Sequence, residues 1–298
     1  GGFVLRAGSL GSRTLAALLL FRCRVFIVIR IATWNVNSLK VRLEQVGRWL
    51  AEQAQAGAPV DYLCLQELKL DDPLFPHAGL AEFGYTAIHA GQKTYNGVAI
   101  VARAGMPEPS DVQRNIPGFE DPQQRVLAAT YACTDGVPLR LISAYFPNGQ
   151  APDSPKCAYK LDWLAALTRW LEAELVRYPR LALLGDFNIA PVDADVCDPA
   201  KWAGQNLVSP PERAAFVALE QLGLTDAFRL FAQPERSFSW WDYRMAAFRR
   251  NAGLRIDHVL LSPPLVPLCT ASAIDATPRG WEQPSDHAPV VATLALND

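Results

Sequence analysis

The sequence has no pair of closely spaced cysteines, although it contains six of them in 298 residues. They stand singly at Cys23, Cys64, Cys133, Cys157, Cys197 and Cys269. Without a Cys-x-x-Cys spacing, nothing in the sequence supports a zinc site built on thiolates. Free thiols in a reducing compartment are therefore favoured over a disulfide framework.

Charge of one sign is not in excess either. The chain has 28 Lys and Arg residues against 30 Asp and Glu residues, which gives a net charge of −2. This balance excludes a uniformly basic protein that binds nucleic acid through its overall charge. A local basic rim around an acidic pocket stays compatible with it, because electrostatic steering depends on how the charges are distributed.

The apolar stretch near the N-terminus is too short to cross a membrane. It covers residues 15–21, whereas a spanning helix requires about 20 apolar residues. Around it, residues 1–30 contain five arginines and no acidic residue. This composition loosely resembles a signal or transit peptide, without a convincing cleavage site. We interpret residues 1–28 as an extension of uncertain role and residues 29–298 as a single domain, with no membrane partner.

Short apolar runs alternate with helical patterns from Val25 onward. Runs rich in β-branched and other apolar residues predict strands at 25–34, 62–65, 98–101, 139–145, 181–184, 260–261 and 290–294. The helical period predicts helices at 39–54, with Ser38 as N-cap, and at 156–176. Half of the residues are hydrophobic and no internal repeat is present. We therefore predict one compact α/β domain with mixed sheets and outer helices.

Five polar clusters lie at the ends of predicted strands. Their members are Asn35 with Asn37, Glu67, Asp186 with Asn188, Asp257, and Asp286 with His287. Taken singly, each has an ordinary structural explanation: Asn35 could cap the following helix, Glu67 could pair near Lys69, and Asp257 could pair with Arg255.

Taken together, the clusters indicate chemistry. The carboxylates of Glu67, Asp186, Asp257 and Asp286 would repel each other in one pocket unless a cation or an imidazolium lay between them. Oxygen ligands without thiolates favour Mg²⁺, with Mn²⁺ as a substitute. Prolines flank the Asp286–His287 pair and disfavour a helix there, so a stiff turn is expected.

Eight motifs follow one another in an order that is similar to a known family. They are residues 33–39 (TWNVNSL), 65–69 (LQELK), 95–99 (YNGVA), 143–149 (SAYFPNG), 184–191 (LGDFNIAP), 238–244 (FSWWDYR), 253–257 (GLRID) and 284–289 (PSDHAP). The chain thereby resembles the exonuclease III family of apurinic/apyrimidinic endonucleases, within the endonuclease/exonuclease/phosphatase superfamily. The resemblance covers about residues 29–296 and implies a DNase I-like, four-layer α/β sandwich of two mixed β-sheets packed face to face with helices outside.

The resemblance also implies roles for individual residues. Metal binding is expected from Glu67, with Asn35, Asp186, Asn188, Asp286 and His287 around the ion. Catalysis is expected from Tyr145, Asp186, Asn188, Asp257 and His287: Asp186 orients the attacking water, Tyr145 and His287 contact the scissile phosphate, and Asp257 holds His287. Substrate contacts are expected from Asn37, Asn148, Trp240, Leu254 and Arg125.

Among these contacts, Trp240 and Leu254 are expected to form an apolar wall against a baseless sugar. Phosphate contacts could come from Arg114, Arg125, Lys156, Arg244, Arg249 and Arg250, although each is equally compatible with an ordinary surface charge. Leu68 and Asn148 depart from residues that many relatives carry. Neither position bears a catalytic charge, so the departures concern the balance between activities rather than activity itself.

The implied function is a metal-dependent phosphodiesterase of base excision repair. It would cleave duplex DNA 5′ to abasic sites, with 3′→5′ exonuclease and 3′-phosphatase activity, and would work as a monomer. A cytoplasmic location is expected, with a mitochondrial address in the extension as the alternative. Two other functions stay open: a non-catalytic regulator on the same fold that acts through RNA-bound partners, and a phosphoesterase for another substrate.

Overall fold

Two mixed six-stranded sheets form the centre of the protein in the computed structural model, which describes residues 26–297. The first sheet contains, in spatial order, β11 (Cys269–Ile274), β12 (Val290–Asn297), β1 (Phe26–Asn35), β2 (Tyr62–Gln66), β4 (Val98–Arg103) and β3 (Tyr85–Ala90). The second contains β5 (Ser110–Arg114), β6 (Val126–Tyr131), β7 (Leu139–Tyr145), β8 (Leu181–Asp186), β10 (Asp257–Leu261) and β9 (Thr225–Asp226). The helices are α1 (Leu39–Gln55), α2 (His77–Glu82), α3 (Pro155–Arg177), α4 (Pro199–Trp202) and α5 (Pro210–Gln221).

The central strands bury both of their faces, as β8 illustrates. Ala182 and Leu184 lie in the core that the two sheets share. Leu181 and Leu183 point to the other side and pack in the cluster that contains the apolar face of α3. Because side chains alternate along a strand, only a continuous apolar run can fill both layers.

Helices cover the outer faces of the two sheets. Leu39, Val46 and Leu50 of α1 pack on the first sheet, and Leu164 and Leu167 of α3 pack on the second. The result is the four-layer sandwich that the family resemblance implies, so the expected fold class is confirmed. Within the described range, no helix combines the length and the apolarity that a membrane crossing requires.

The strands and helices predicted from sequence are confirmed, with bounds that differ by a few residues. The sequence patterns did not predict β3, β5, β6, β9, β11 and the helices α2, α4 and α5. The reason is clear for β5, a mostly exposed edge strand with the sequence Ser-Asp-Val-Gln-Arg. Ser38 does occupy the N-cap position of α1, but its φ is 92° and its side chain makes no capping hydrogen bond. The left-handed backbone there serves the turn and not a side-chain cap.

The first described strand begins before the predicted domain boundary. β1 starts at Phe26, which pairs with Asn297 of β12, whereas the sequence places the boundary at residue 29. The rest of the predicted extension lies outside the described residues, as does Cys23. The five other cysteines are free thiols, in agreement with the sequence prediction.

Strand direction brings the predicted polar clusters to one edge of the sandwich. β1 and β2 run parallel, as do β7 and β8, so each pair presents its carboxyl ends together. β10 is antiparallel to β8 and β12 is antiparallel to β1, so both begin where the others end. Gly185 allows the close pairing of β7 and β8, because a Cβ there would lie 1.8 Å from the Ala144 carbonyl oxygen.

Candidate active site

One amide joins the two acidic groups at the centre of this edge. Asn35 is fully buried at the end of β1, and its Nδ2 donates to Glu67 Oε1 and to Asp186 Oδ2, both at 2.9 Å. Its Oδ1 accepts from the Asn37 backbone N–H at 2.9 Å, which fixes the orientation of the amide. Asn35 thus holds carboxylates from both sheets side by side, instead of capping α1.

Asp186 is buried at the end of β8. Its Oδ1 accepts the backbone N–H of Asn188 at 2.9 Å, and its Oδ2 accepts the Asn188 side-chain amide at 3.2 Å as well as Asn35. Burial raises the pKa of Asp186 to about 7, against the opposing effect of the nearby His287 cation. A carboxylate with a pKa near neutrality is suited to accept a proton from water.

His287 faces Asp186 with one ring nitrogen and Asp257 with the other. Nε2 lies 3.7 Å from Asp186 Oδ2, and Nδ1 lies 2.9 Å from Asp257 Oδ2. Burial disfavours the charged imidazole, but the carboxylates of Asp257 and Asp186 outweigh it and raise the pKa of His287 to about 10. His287 is therefore a cation at neutral pH, with Nδ1 committed to Asp257.

Asp257 is in turn held by the hydroxyl of Ser239, which donates to Oδ2 at 2.6 Å. The same hydroxyl oxygen accepts the Asp257 backbone N–H at 3.0 Å. Arg255, the partner that the sequence suggested as an alternative for Asp257, pairs instead with Asp195 and Asp226. The structural alternative for Asp257 is thus wrong, and this carboxylate is directed to the histidine.

Tyr145 and Lys69 both contact Glu67. The Tyr145 hydroxyl donates to Oε1 at 3.0 Å, and the Lys69 ammonium lies 2.8 Å from Oε2. Burial, together with Glu67, raises the pKa of the Tyr145 phenol well above its usual value. The phenol is therefore a hydrogen-bond donor throughout the physiological range. The Lys69 contact confirms the ion pair that the sequence offered as an ordinary explanation for Glu67. Glu67 nevertheless also belongs to the site.

Two further amides extend the site beyond Asp186. The Asn188 side chain donates to the Phe146 carbonyl at 3.1 Å and accepts from Asn148 Nδ2 at 2.9 Å. Asn188 has a left-handed backbone, with φ of 50°. The loops that follow β7 and β8 therefore meet through a pair of asparagines.

Asp286 points away from its neighbour His287. Its carboxylate accepts from Asn37 Nδ2 at 2.9 Å and from the Trp240 indole N–H at 3.0 Å. Although burial opposes it, the His287 cation and these hydrogen bonds lower the pKa of Asp286. Asp286 thus stays ionised beside the central group, connected to it through the 35–37 turn.

Potential ligand atoms of Glu67, Asp186 and His287 lie within 4.8 Å of one another. The two carboxylates can bind a cation directly, whereas His287, itself a cation, lies beside them. Two carboxylates that share one amide donor supply hard oxygen ligands on the same side of the cluster. The donor chemistry therefore fits a divalent cation. Of the other predicted ligands, Asn35 and Asn188 hydrogen-bond to Asp186 directly. Asp286 is hydrogen-bonded to Asn37, which in turn contacts Asn35.

The predicted substrate contacts are distributed around this centre. Trp240 is half-buried and pairs with Leu254, which is fully buried behind it and presents no surface of its own. Arg125 is mostly buried, donates to the Tyr145 carbonyl at 3.2 Å and stacks over the Tyr145 ring at 5.0 Å. It borders a cavity of about 460 Å³, which Asn148 also lines.

The remaining basic candidates are exposed. They are Arg114, Lys156, Arg244, Arg249 and Arg250. Lys156 lies on the wall of the cavity beside Tyr145, whereas Arg244 is engaged by Asp242 at 2.6 Å. Sequence reasoning missed Ser239 and Ser285, whose hydroxyls donate to Asp257 and to the Asn35 carbonyl. The sequence offers one indication of them, since Ser239 precedes Trp240 and Ser285 precedes Asp286 within the family motifs.

The chain is similar to known proteins in sequence and in fold. A model of the endonuclease/exonuclease/phosphatase family matches residues 32–287. Exodeoxyribonuclease III of Haemophilus influenzae is 35% identical over 273 residues, which cover 89% of this chain and 99% of that protein. A Neisseria 3′ phosphatase called NExo, solved with a product DNA hairpin, superimposes with a TM-score of 0.82 at 48% identity, covering 89% of this chain and 98% of that one. An AP endonuclease from Archaeoglobus fulgidus gives a TM-score of 0.81 at 35% identity, covering 89% and 99% respectively.

Proposed function

Because the chain belongs to the endonuclease/exonuclease/phosphatase family, we propose that it is a metal-dependent DNA-repair hydrolase of the exonuclease III type. It cleaves duplex DNA on the 5′ side of abasic sites and removes nucleotides or blocking phosphates from 3′ ends. Its place is in base excision repair. The relatives with these names support the proposal.

The observation that carries the proposal is the opposition of Asp186 and His287 across 3.7 Å. Hydrolysis of a phosphodiester requires a group that accepts a proton from water and a positive group that stabilises the non-bridging oxygens. Asp186, whose carboxylate faces His287, fits the first requirement, and cationic His287 fits the second. Asp257 keeps Nδ1 occupied, so Nε2 is the nitrogen that can donate to a phosphate oxygen.

Glu67 and Asp186 would hold Mg²⁺, with Mn²⁺ as a substitute, and Asn35, Asn188, Asp286 and His287 complete the surroundings that we propose for the ion. When bound, the cation would neutralise phosphate charge and assist departure of the 3′ oxygen. Tyr145 contributes a protonated hydroxyl, which donates to Glu67 in the structure and would donate to the phosphate when substrate is bound.

Substrate selection is proposed for the indole of Trp240. It stands beside Asp286 and is backed by buried Leu254, so an apolar surface faces the position where a baseless sugar would lie. Asn37 and Asn148 flank the centre, and Arg125 with the exposed cations supplies phosphate contacts. We further propose that the protein acts as a monomer on duplex DNA in the cytoplasm.

Time courses on two labelled duplexes test these assignments. The first duplex carries a central abasic site and a recessed 3′ end, and the second carries a 3′-phosphate. We expect incision and 3′ processing that require Mg²⁺ and that Asp186→Asn abolishes. Incision that survives EDTA would exclude the metal-dependent mechanism, and binding to RNA without hydrolysis of any DNA would favour the regulator.

A further inference from the structure

A lysine with no exposed surface lies directly beneath the candidate site. Lys160 belongs to α3, and its side chain is completely buried. Lysine is almost never fully buried unless its ammonium is paired, because removing the charge from water is costly. The hydrolysis proposed above does not use this group, so its position has a different explanation.

All three donors of the Lys160 ammonium meet an oxygen. Nζ donates to the Asn188 carbonyl at 2.7 Å and to the Asn148 carbonyl at 3.3 Å. The third partner is the carboxylate of Glu212. An ammonium has three N–H groups and no acceptor, so these contacts use its full capacity.

Glu212 fixes the ammonium in place. This carboxylate is fully buried in the first turn of α5, where it closes a capping box with Ser209. Its oxygens accept the backbone N–H groups of Leu207 and Ser209, both at 3.1 Å, and the Ser209 hydroxyl at 2.5 Å. Lys160 is therefore anchored to a rigid helix start and has little freedom to follow movements of the site.

The two carbonyls that Lys160 holds belong to residues whose side chains lead to Asp186. Asn148 Nδ2 donates to Asn188 Oδ1 at 2.9 Å, and Asn188 Nδ2 donates to Asp186 Oδ2 at 3.2 Å. Asn188 also has a left-handed φ of 50°, a conformation that asparagine adopts more readily than most non-glycine residues. The Lys160 ammonium thus joins, through two backbone carbonyls, the same two loops that Asn148 and Asn188 join through their side chains.

We propose that Lys160 is a positioning residue for the reaction, which holds the Asn148 and Asn188 carbonyls so that the Asn188 amide stays on Asp186. The inference rests on the proposed function, because turnover is its main readout. Lys160 has no surface through which to contact DNA. Its removal is therefore expected to affect turnover and to leave substrate affinity almost unchanged.

The test compares two double variants. Lys160→Met alone would leave Glu212 buried without its partner, so Lys160→Met/Glu212→Gln is the informative change. We expect its kcat on abasic duplex to fall about 10- to 100-fold, with KM within about twofold of wild type. The matched control is Arg140→Met/Glu174→Gln, which removes another buried ion pair of α3, with Nε and Oε2 at 2.8 Å. Arg140 lies at the opposite end of β7 from Tyr145, so this control is expected to lower the melting temperature and to keep kcat.

The possible results distinguish the positioning role of Lys160 from the proposed hydrolysis of DNA. A wild-type kcat in the Lys160 variant, or losses of kcat that simply follow the melting temperature in both double variants, would overturn the positioning role alone. A wild-type protein that hydrolyses no DNA substrate would overturn the proposed function, and the inference with it. A selective loss of kcat in the Lys160 variant supports both.

Discussion

Replacing Asp257 by asparagine is expected to separate turnover from metal binding. Asp257 is completely buried and contacts His287 Nδ1 with its two oxygens at 2.9 and 3.1 Å. Asparagine has the same shape but no charge, so the imidazole loses the partner that favours its cationic form. Asp257 lies outside the group of Glu67, Asp186 and His287, so the carboxylate ligands of a metal ion stay in place.

The expected magnitude is that of losing one group that supports charge stabilisation at the phosphate. Of the carboxylates that raise the pKa of His287, Asp257 has the largest effect, so Asp257→Asn removes the main support for the imidazolium. Loss of one such stabilising contact lowers turnover about 10²- to 10³-fold in other hydrolases, and we expect a loss of about 10²-fold.

Single-turnover incision of a labelled abasic duplex measures turnover, and calorimetric titration with Mn²⁺ measures metal affinity. We expect Asp257→Asn to bind Mn²⁺ within about threefold of wild type, whereas Glu67→Gln loses at least about tenfold. Ser239→Ala is the control, because it removes the 2.6 Å hydrogen bond to Asp257 and leaves both charges. Its loss of turnover should stay below about tenfold. Equal losses of metal affinity in Asp257→Asn and Glu67→Gln, or full turnover in Asp257→Asn, would refute the reasoning.

Three further changes have defined outcomes. Gly185→Ala places a Cβ 1.8 Å from the Ala144 carbonyl oxygen, so urea unfolding should show a loss of at least about 3 kcal/mol, and a wild-type midpoint would contradict the pairing of β7 and β8. Burial lowers the pKa of His258 to about 4, so between about pH 6.5 and 4 this residue binds more protons in the unfolded chain than in the folded one. As pH falls through that range, His258 should lower the free energy of unfolding by at most about 1.4 kcal/mol per pH unit, and His258→Gln should flatten that slope. Tyr145→Phe removes the hydroxyl that lies 3.0 Å from Glu67 and should slow incision about 10- to 10²-fold with little change in melting temperature; unchanged incision would remove the phenol from the mechanism.

The sequence predicts the location of the site well because strand ends are readable from composition. Asp186 follows the apolar run of β8, Glu67 follows β2, and the parallel pairing of neighbouring strands brings such positions to one edge. Periodicity likewise predicts α1 and α3, since each buries one apolar face. The polar edge strand β5 and the two-residue β9 carry no comparable signal.

Side-chain partners across long sequence separations were not readable. Asn35 bonds Asp186 151 residues away, and the local alternative, a helix cap, was equally compatible with the sequence. Asp286 and His287 are adjacent in the chain but serve different partners, because the turn between the prolines directs one to Trp240 and the other to Asp257. Lys160 falls at an unremarkable helical position, and only the three-dimensional packing reveals its burial.

The division of the site between the two sheets has a consequence for folding. Asn35 ends β1 and Glu67 follows β2 in the first sheet, whereas Tyr145, Asp186 and Asp257 belong to strands of the second. A folding intermediate in which only one sheet has formed therefore contains only part of the hydrolytic apparatus and cannot cut DNA. Hydrolysis therefore requires that both sheets have formed and have packed against each other.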